Sequence, residues 1–488
     1  MTTVLEYAET EMFLLGIFAT ACLIAPPAQE PAGDLGALSA RAREAMATER
    51  YLDAVALYEK LLQARPADAG LLMNLGIARV LGGRPADAVA PLNEAVRLDD
   101  SLTPAWLFLG RAHADLGQPQ EAVGPLERAL TGDAGNLGAR RLLAESQYAI
   151  GRFEAAAAEY RRLTDRQPDS PRAWYGLASS YSALTAKSIE DLQATGDSPY
   201  AQLLRAELAM GDGDPREAAS LVQGVLAARP DLPGTHTILA DAYEQLGQTA
   251  DAAAARQRAV AVAASCTAGT AACALARGEP LQAATLAAKG ADAEAVYWRL
   301  QAYNALAADA WQRLDGLPPS SEWHYVRSLA AEDQGRPQDA LEELRRARAL
   351  DPSNREIMRR LGVRLLRTRQ VDEAITLLEE ATRGETEPEL RYLLGEAYLL
   401  AQRAADAVAP LEAAVKTMPQ LTPARTALGR AYLQTGRPAE AIPHLEAGLP
   451  QDRDGSLYYQ LAQAYQRAGR MEEAKKALGE YQRRSKQP

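Results

Sequence analysis

The sequence predicts an all-α chain of stacked helical hairpins, a solenoid built from one repeated unit. Three observations lead there. Alanine recurs on a fixed period, at Ala54, Ala88, Ala122 and Ala156, each 34 residues apart. The beat returns at Ala340, Ala374, Ala407, Ala441 and Ala474, spaced by 34, 33, 34 and 33. A glycine punctuates most units, at Gly83, Gly117, Gly151, Gly247, Gly335, Gly436 and Gly469. The vocabulary agrees: Ala, Leu, Arg and Glu are abundant, and aromatics are only 6%, with four Phe. Those are helix formers with few strand formers.

The chain starts differently. "MFLLGIFATACLIA", residues 12–25, is an apolar run of 14 residues. As a helix it would span about 21 Å, short of a bilayer core of roughly 30 Å. That suits the apolar region of a secretory signal better than a membrane span. Residues 1–28 therefore read as signal-peptide-like, and the Pro-rich 29–34 as a linker. The preceding "MTTVLEYAETE" has no Lys or Arg, against the pattern of a signal; a start at Met12 removes the conflict. Cys22 after "FATA" is similar to a lipoprotein box, with Ala19 where Leu is usual. Export to the periplasm or envelope is the expectation, with a cytoplasmic location as the alternative. Any membrane association would run through this N-terminus only.

Residues 35–264 and 321–488 read as two arrays. Each unit pairs two helices of about 12 residues around the turn glycine, where a positive φ ends the first helix. Leu75-Gly76, Leu109-Gly110 and Leu428-Gly429 place a small residue on the inner side of the first helix. The recurrent Ala of the second helix is the expected partner of that glycine. Pro91, Pro125, Pro410 and Pro443 fall inside second helices and should bend them. The last segment, "MEEAKKALGEYQRRSKQP", is polar enough to cap the array.

Between the arrays the period fails twice. "SALTAKSIEDLQATGDSP" reads as a short second helix without its glycine turn. The larger break is 265–320, an irregular joint holding Cys266 and Cys273, followed by one degenerate repeat. In that repeat "AEAVYWRLQAYNALAADAWQRLDGLPPSS" reads as a helical hairpin. The lost period makes 265–320 the expected hinge. The cysteines are seven apart, unlike C-x2-C zinc ligands. The four His are scattered, at 113, 236, 324 and 444. No base for a catalytic thiol is apparent. A Cys266–Cys273 disulfide is the candidate in an exported chain; two buried thiols are the other reading.

The units resemble tetratricopeptide repeats, W-x2-L-G-x2-Y…A-x3-F…P. Trp106-x-x-Leu109-Gly110-x-x-His113, Trp174-x-x-Leu177-Ala178-x-x-Tyr181 and Leu428-Gly429-x-x-Tyr432 carry the first half. Tyr58 and Tyr160 stand at the second-helix aromatic, and Pro66, Pro168, Pro230, Pro352 and Pro419 close units. Units begin near 35, 69, 103, 137, 171, 199, 233, 321, 355, 388, 422 and 455. The resemblance is to bacterial multi-repeat proteins. It implies a right-handed superhelix whose concave face is lined by first helices, at their second, fifth, ninth, twelfth and thirteenth positions. Fifth positions include Leu107, Arg141, Tyr175, Tyr325, Tyr392 and Tyr459. Ninth positions include Arg111, Glu145, Glu396, Arg430 and Gln463. The Lys/Asn set with which some members clamp a C-terminal carboxylate is missing, which speaks against a chaperone-tail receptor.

Composition narrows function. Net charge is −11 with no basic stripe, so nucleic acid is not an expected partner. There is no phosphate loop, no dinucleotide fingerprint, no H-E-x-x-H and no G-x-S-x-G. "DGDP" at 212–215 and "DRDGS" at 452–456 are fragments of calcium loops lacking the full ligand series; turns and caps are the reading. No catalytic residue, metal or cofactor is expected. The expectation is a non-enzymatic scaffold of the bacterial envelope that binds proteins or peptides. The alternatives are a cytosolic adaptor, or a non-catalytic subunit of a separate enzyme such as a glycosyltransferase or peptidase. Repeats run to Tyr481 and leave no room for a catalytic domain.

Overall fold

A computed structural model of the chain describes residues 32–265, 269–383, 387–452 and 454–485. The readings placed on Met1–Ala28 therefore lie outside the described residues, as does Cys266. The described residues form α-helices and one 3-10 turn, with no strand. No described helix is long and apolar enough to cross a membrane.

The repeat is built as its sequence implies. First helices start at Ala69, Thr103, Leu137, Pro171, Pro199, Thr235, Ser321, Arg355, Pro388, Thr422 and Ser456. Side-chain caps fix many of these starts. Asp68 accepts from the Leu71 amide at 3.0 Å, Asn136 from Ala139 at 2.8 Å, and Asn354 from Ile357 at 3.1 Å. Each satisfies an orphan N–H of the first turn. Trp106 and Trp174 donate their indole N–H to carbonyls six residues back, Asp100 at 2.9 Å and Pro168 at 2.7 Å. The motif tryptophan thus ties its helix to the loop that enters it.

Turn glycines take the left-handed conformation, for example Gly436 at φ 78°. Three turns do this without glycine, at Glu49 (φ 57°), Arg369 (φ 60°) and Gln402 (φ 61°). The helices run on through Pro91, Pro125 and Pro410.

The inner glycine has a different partner from the one expected. A Cβ on Gly76 would lie 2.4 Å from Leu92, one on Gly395 2.3 Å from Leu411, and one on Gly429 2.7 Å from Leu445. Each Leu stands four residues beyond the recurrent Ala. The next helical turn carries the bulkier side chain on the same face, and that side chain fills the notch. The alanines are fully buried but are not the glycine's closest neighbours.

The chain divides into two compact units, residues 118–317 and residues 1–117 with 318–488. The second contains the two arrays' regular hairpins at 32–115 and 321–484.

Unit 118–317 holds both breaks, and neither folds as expected. The segment predicted as a separate short helix continues the preceding one, giving Pro171–Ala194, 24 residues. No turn glycine interrupts it before Gly196, and hydroxyls bond back along it: Ser180 to the Gly176 carbonyl at 2.7 Å and Ser188 to Leu184 at 2.8 Å. The predicted hairpin after the joint is likewise one helix, Ala293–Asp315, 23 residues. The two long helices pack on each other. Tyr181 stacks on Tyr303 at 6.2 Å, and Tyr175 meets Trp311 edge-on at 5.9 Å. Trp311 donates to Ser182 at 3.3 Å, and Arg299 lies 3.8 Å from Asp191. Early residues of one helix meet late residues of the other, so they run antiparallel. Each lost its local partner helix, and each supplies the other's.

Between them in sequence stand the hairpins of 199–287. Tyr297 donates to Glu207 at 2.8 Å, and Gln301 holds the same carboxylate at 2.7 and 2.8 Å. The expected hinge is thus a packed clasp: lost period in sequence here reflects a change of partner, not a lack of one. Its short helix Ala271–Ala276 carries Ala274 into the cluster of Tyr181, Leu184 and Tyr303. Cys273 beside it is fully buried and disulfide-bonded.

Candidate functional site

The residues of the predicted groove lie on first helices at very different depths. Leu107, Arg111 and Tyr325 are buried, with 7%, 8% and 1% of their surface exposed. Arg111 lies 3.7 Å from Asp115 and 6.0 Å over Phe108. Arg141 and Glu145 face each other along one helix at 3.9 Å. Tyr175 is taken up by the clasp through Trp311. Tyr392 and Gln463 are half-buried, and Tyr459 is exposed against Tyr481 at 5.3 Å. Glu396 and Arg430 form an ion pair between successive first helices.

The structure brings the second group together and not the whole set. From Ser321 to Arg467 the first helices carry a ladder of charged and aromatic rungs. Tyr325 donates to Glu356 of the next repeat at 2.6 Å. Arg360 covers the Tyr325 ring at 5.4 Å and lies 3.6 Å from Glu332. Arg364 pairs with the same Glu332. Arg359, also buried, offsets the charge of Glu389. Glu396 and Arg430 continue the series.

Burial sets the electrostatics of this face. Glu389 and Glu396 are raised above the usual carboxylate range by desolvation, which outweighs the guanidiniums of Arg359 and Arg430. Tyr392 is pushed up to about 12 by burial and by the Glu396 carboxylate. Acceptors and donors therefore alternate on a partly dehydrated surface. Hydrogen bonds made there gain strength from the low local dielectric. Such a face can take the amides, carbonyls and charged side chains of an extended segment. No group of three or more metal-ligating residues occurs among the described residues.

Sequence reasoning passed over Glu332, Glu356, Arg360, Arg364 and Glu389. A signal was present: Glu322, Glu356 and Glu389 recur at the second position of their units, one of the positions assigned to the groove.

Models of the tetratricopeptide repeat match residues 39–102, 113–179, 203–267, 325–388, 359–423, 398–461 and 455–487. The chain is a tetratricopeptide-repeat protein. Its repeats form a helical solenoid of the kind used as a protein-binding scaffold. Among solved structures it is similar to YrrB, described as a tetratricopeptide-repeat protein with an unusual peptide-binding site, at 22% identity and TM-score 0.30. That match covers 33% of this chain and 83% of that one. It is similar to MamA of strain MSR-1 at 24% identity and TM-score 0.30, over 33% and 95% of the two chains. For MamA of Desulfovibrio magneticus RS-1 the values are 19% and 0.31, over 34% and 97%. No curated protein matches the chain.

Proposed function

We propose that this tetratricopeptide array is a non-catalytic scaffold of the bacterial cell envelope, and that it holds an extended protein or peptide segment against the first helices of 321–467. The observation that carries the reading is the ladder itself: tyrosines and paired Arg and Glu side chains on consecutive first helices, partly dehydrated by the fold. Tyr and Arg are the residue types enriched where binding energy concentrates. The apolar run at residues 12–25 supports delivery to the envelope. In that compartment a Cys266–Cys273 bond would persist.

Crosslinking in native cells, followed by mass spectrometry of the tagged chain, tests this. The expected result is one envelope partner crosslinked to the first helices of 321–467, on a chain lacking residues 1–28. Cytosolic partners on a chain that keeps those residues would overturn the envelope assignment. Crosslinks confined to second helices would overturn the surface.

A further inference from the structure

Helix Met471–Arg484 packs on Ser456–Arg467, and no described helix follows it. Its sequence reads as a polar cap, and two of its positions qualify that reading. Four residues beyond the recurrent Ala, most second helices carry a Leu: Leu92, Leu126, Leu344, Leu378, Leu411 and Leu445. All six are fully buried. Leu478 holds the same position after Ala474, and 40% of its surface is exposed. One residue beyond the Ala the array is again apolar, and buried, at Val55, Val123, Leu341, Ile375 and Ile442. Here that position is Lys475, whose side chain is 71% exposed.

The two changes together say what can cover this face. Within the array the next first helix packs on each second helix, as Thr422–Gln434 does on Ala404–Thr417. A further repeat seated in that register would bury the Lys475 ammonium where the array buries Ile375 and Ile442. An unpaired ammonium is costly to bury. A shallower occupant covers Leu478 and leaves the Lys475 head at the rim, with its stem on the apolar surface. Met471, 51% exposed, extends the apolar stripe two turns towards the N-terminus.

Charge selects the occupant. Glu472 stands in the first turn and Arg483 in the last. Eleven residues apart, they share one side of the helix, beside the stripe. Leu478 falls midway between them. Two such helices packed antiparallel about Leu478 bring Glu472 of each to Arg483 of the other. A parallel pair would set like charge against like. Antiparallel packing also opposes the helix dipoles. Within one chain the two residues hold only exposed partners. Glu472 lies 2.9 Å from Lys475, and Arg483 pairs with Glu480. Such surface pairs contribute little, so a second copy can exchange them at little cost.

We infer that helix Met471–Arg484 is a self-association surface, occupied by the same helix of a second copy running antiparallel. The two Leu478 side chains meet at the two-fold axis, flanked by two Glu472–Arg483 pairs. Such an interface is isologous and closes at two copies. It uses a second helix, outside the first helices of 321–467. A dimer would therefore carry that ladder twice, and a partner with two segments would gain avidity. One helix of 14 residues makes a small interface, so the dimer should form and part with concentration.

Sedimentation velocity of the full chain over a concentration series tests this. A monomer–dimer equilibrium with Kd of ~10⁻⁶–10⁻⁴ M is expected. Leu478→Asp should leave monomer throughout. Glu472→Arg and Arg483→Glu should each weaken the dimer by about tenfold or more, through like-charge contact. Both side chains are solvent-exposed, so these variants keep the fold. Mixing them should restore association, because every Arg then faces a Glu. A parent chain that stays monomeric up to about 100 μM would overturn the inference. So would a dimer untouched by Leu478→Asp, or a mixture that associates no better than either variant alone.

Discussion

The C-terminal hairpins and the clasp of 171–315 solve one packing problem in two ways. In the hairpins the recurring contacts run within a repeat or to its neighbour. Tyr398 donates to Glu379 at 2.6 Å and Tyr432 to Glu412 at 2.7 Å, and Tyr465 makes the same bond to Glu446. Arg403, Arg437 and Arg470 each lie over the ring of the tyrosine before them, at 4.6, 4.2 and 4.6 Å. This stitch recurs three times, and its partners stand 19 or 20 residues apart. In the clasp the partners stand far apart in sequence: 90 residues for Tyr297 with Glu207, and 129 for Trp311 with Ser182. Nearest-neighbour packing gives an array whose parts open one at a time. Long-range packing binds everything between its ends into one cooperative block.

Four substitutions sharpen that contrast, the largest effect first. Tyr297, 2% exposed, touches Tyr200, Trp298 and Glu207 at once. Tyr297→Ala should cost about 3–5 kcal/mol, and denaturant melts should show residues 171–315 unfolding together. A loss below about 1 kcal/mol would erase the distinction. Gly395→Ala drives a methyl into Leu411 and should cost about 1–3 kcal/mol. Combining it with Leu411→Ala should return part of that loss in a double-mutant cycle, and strict additivity would show the two do not meet. Tyr432→Phe removes one stitch and should cost about 0.5–1.5 kcal/mol. Hydrogen exchange should quicken only around that repeat; a change reaching the clasp would contradict the local picture. Gln402→Gly relieves a left-handed backbone and should raise stability by about 0.5–1 kcal/mol. An unchanged melt would show that turn to be unstrained.

The same contrast explains what was legible in the sequence. Period, turn glycines and caps are local, so the starts of the units could be placed within two residues from Ala69 to Thr235 and from Ser321 onward. Tyr181 and Tyr303 carry no mark of one another. Helical spacing tells each that it faces inward, not which helix it faces. The missing glycines near Ala183 and Ala305 were visible and were read as weak turns. In physical terms they were uninterrupted helices. The candidate surface divides along the same line. Tyr392, Glu396 and Arg430 follow from position within a repeat. The burial of Leu107 and Tyr325 depends on neighbours that the repeat pattern does not specify.

The account turns on the clasp, and hydrogen exchange with mass spectrometry on Tyr303→Ala reads it most directly. Tyr303 stacks on Tyr181, more than a hundred residues away in sequence. The account predicts that protection falls together in Pro171–Ala194 and Ala293–Asp315, while Thr422–Gln434 keeps the rates of the parent chain. Faster exchange in 293–315 with Pro171–Ala194 unchanged would contradict it, and would return the joint to a locally folded segment.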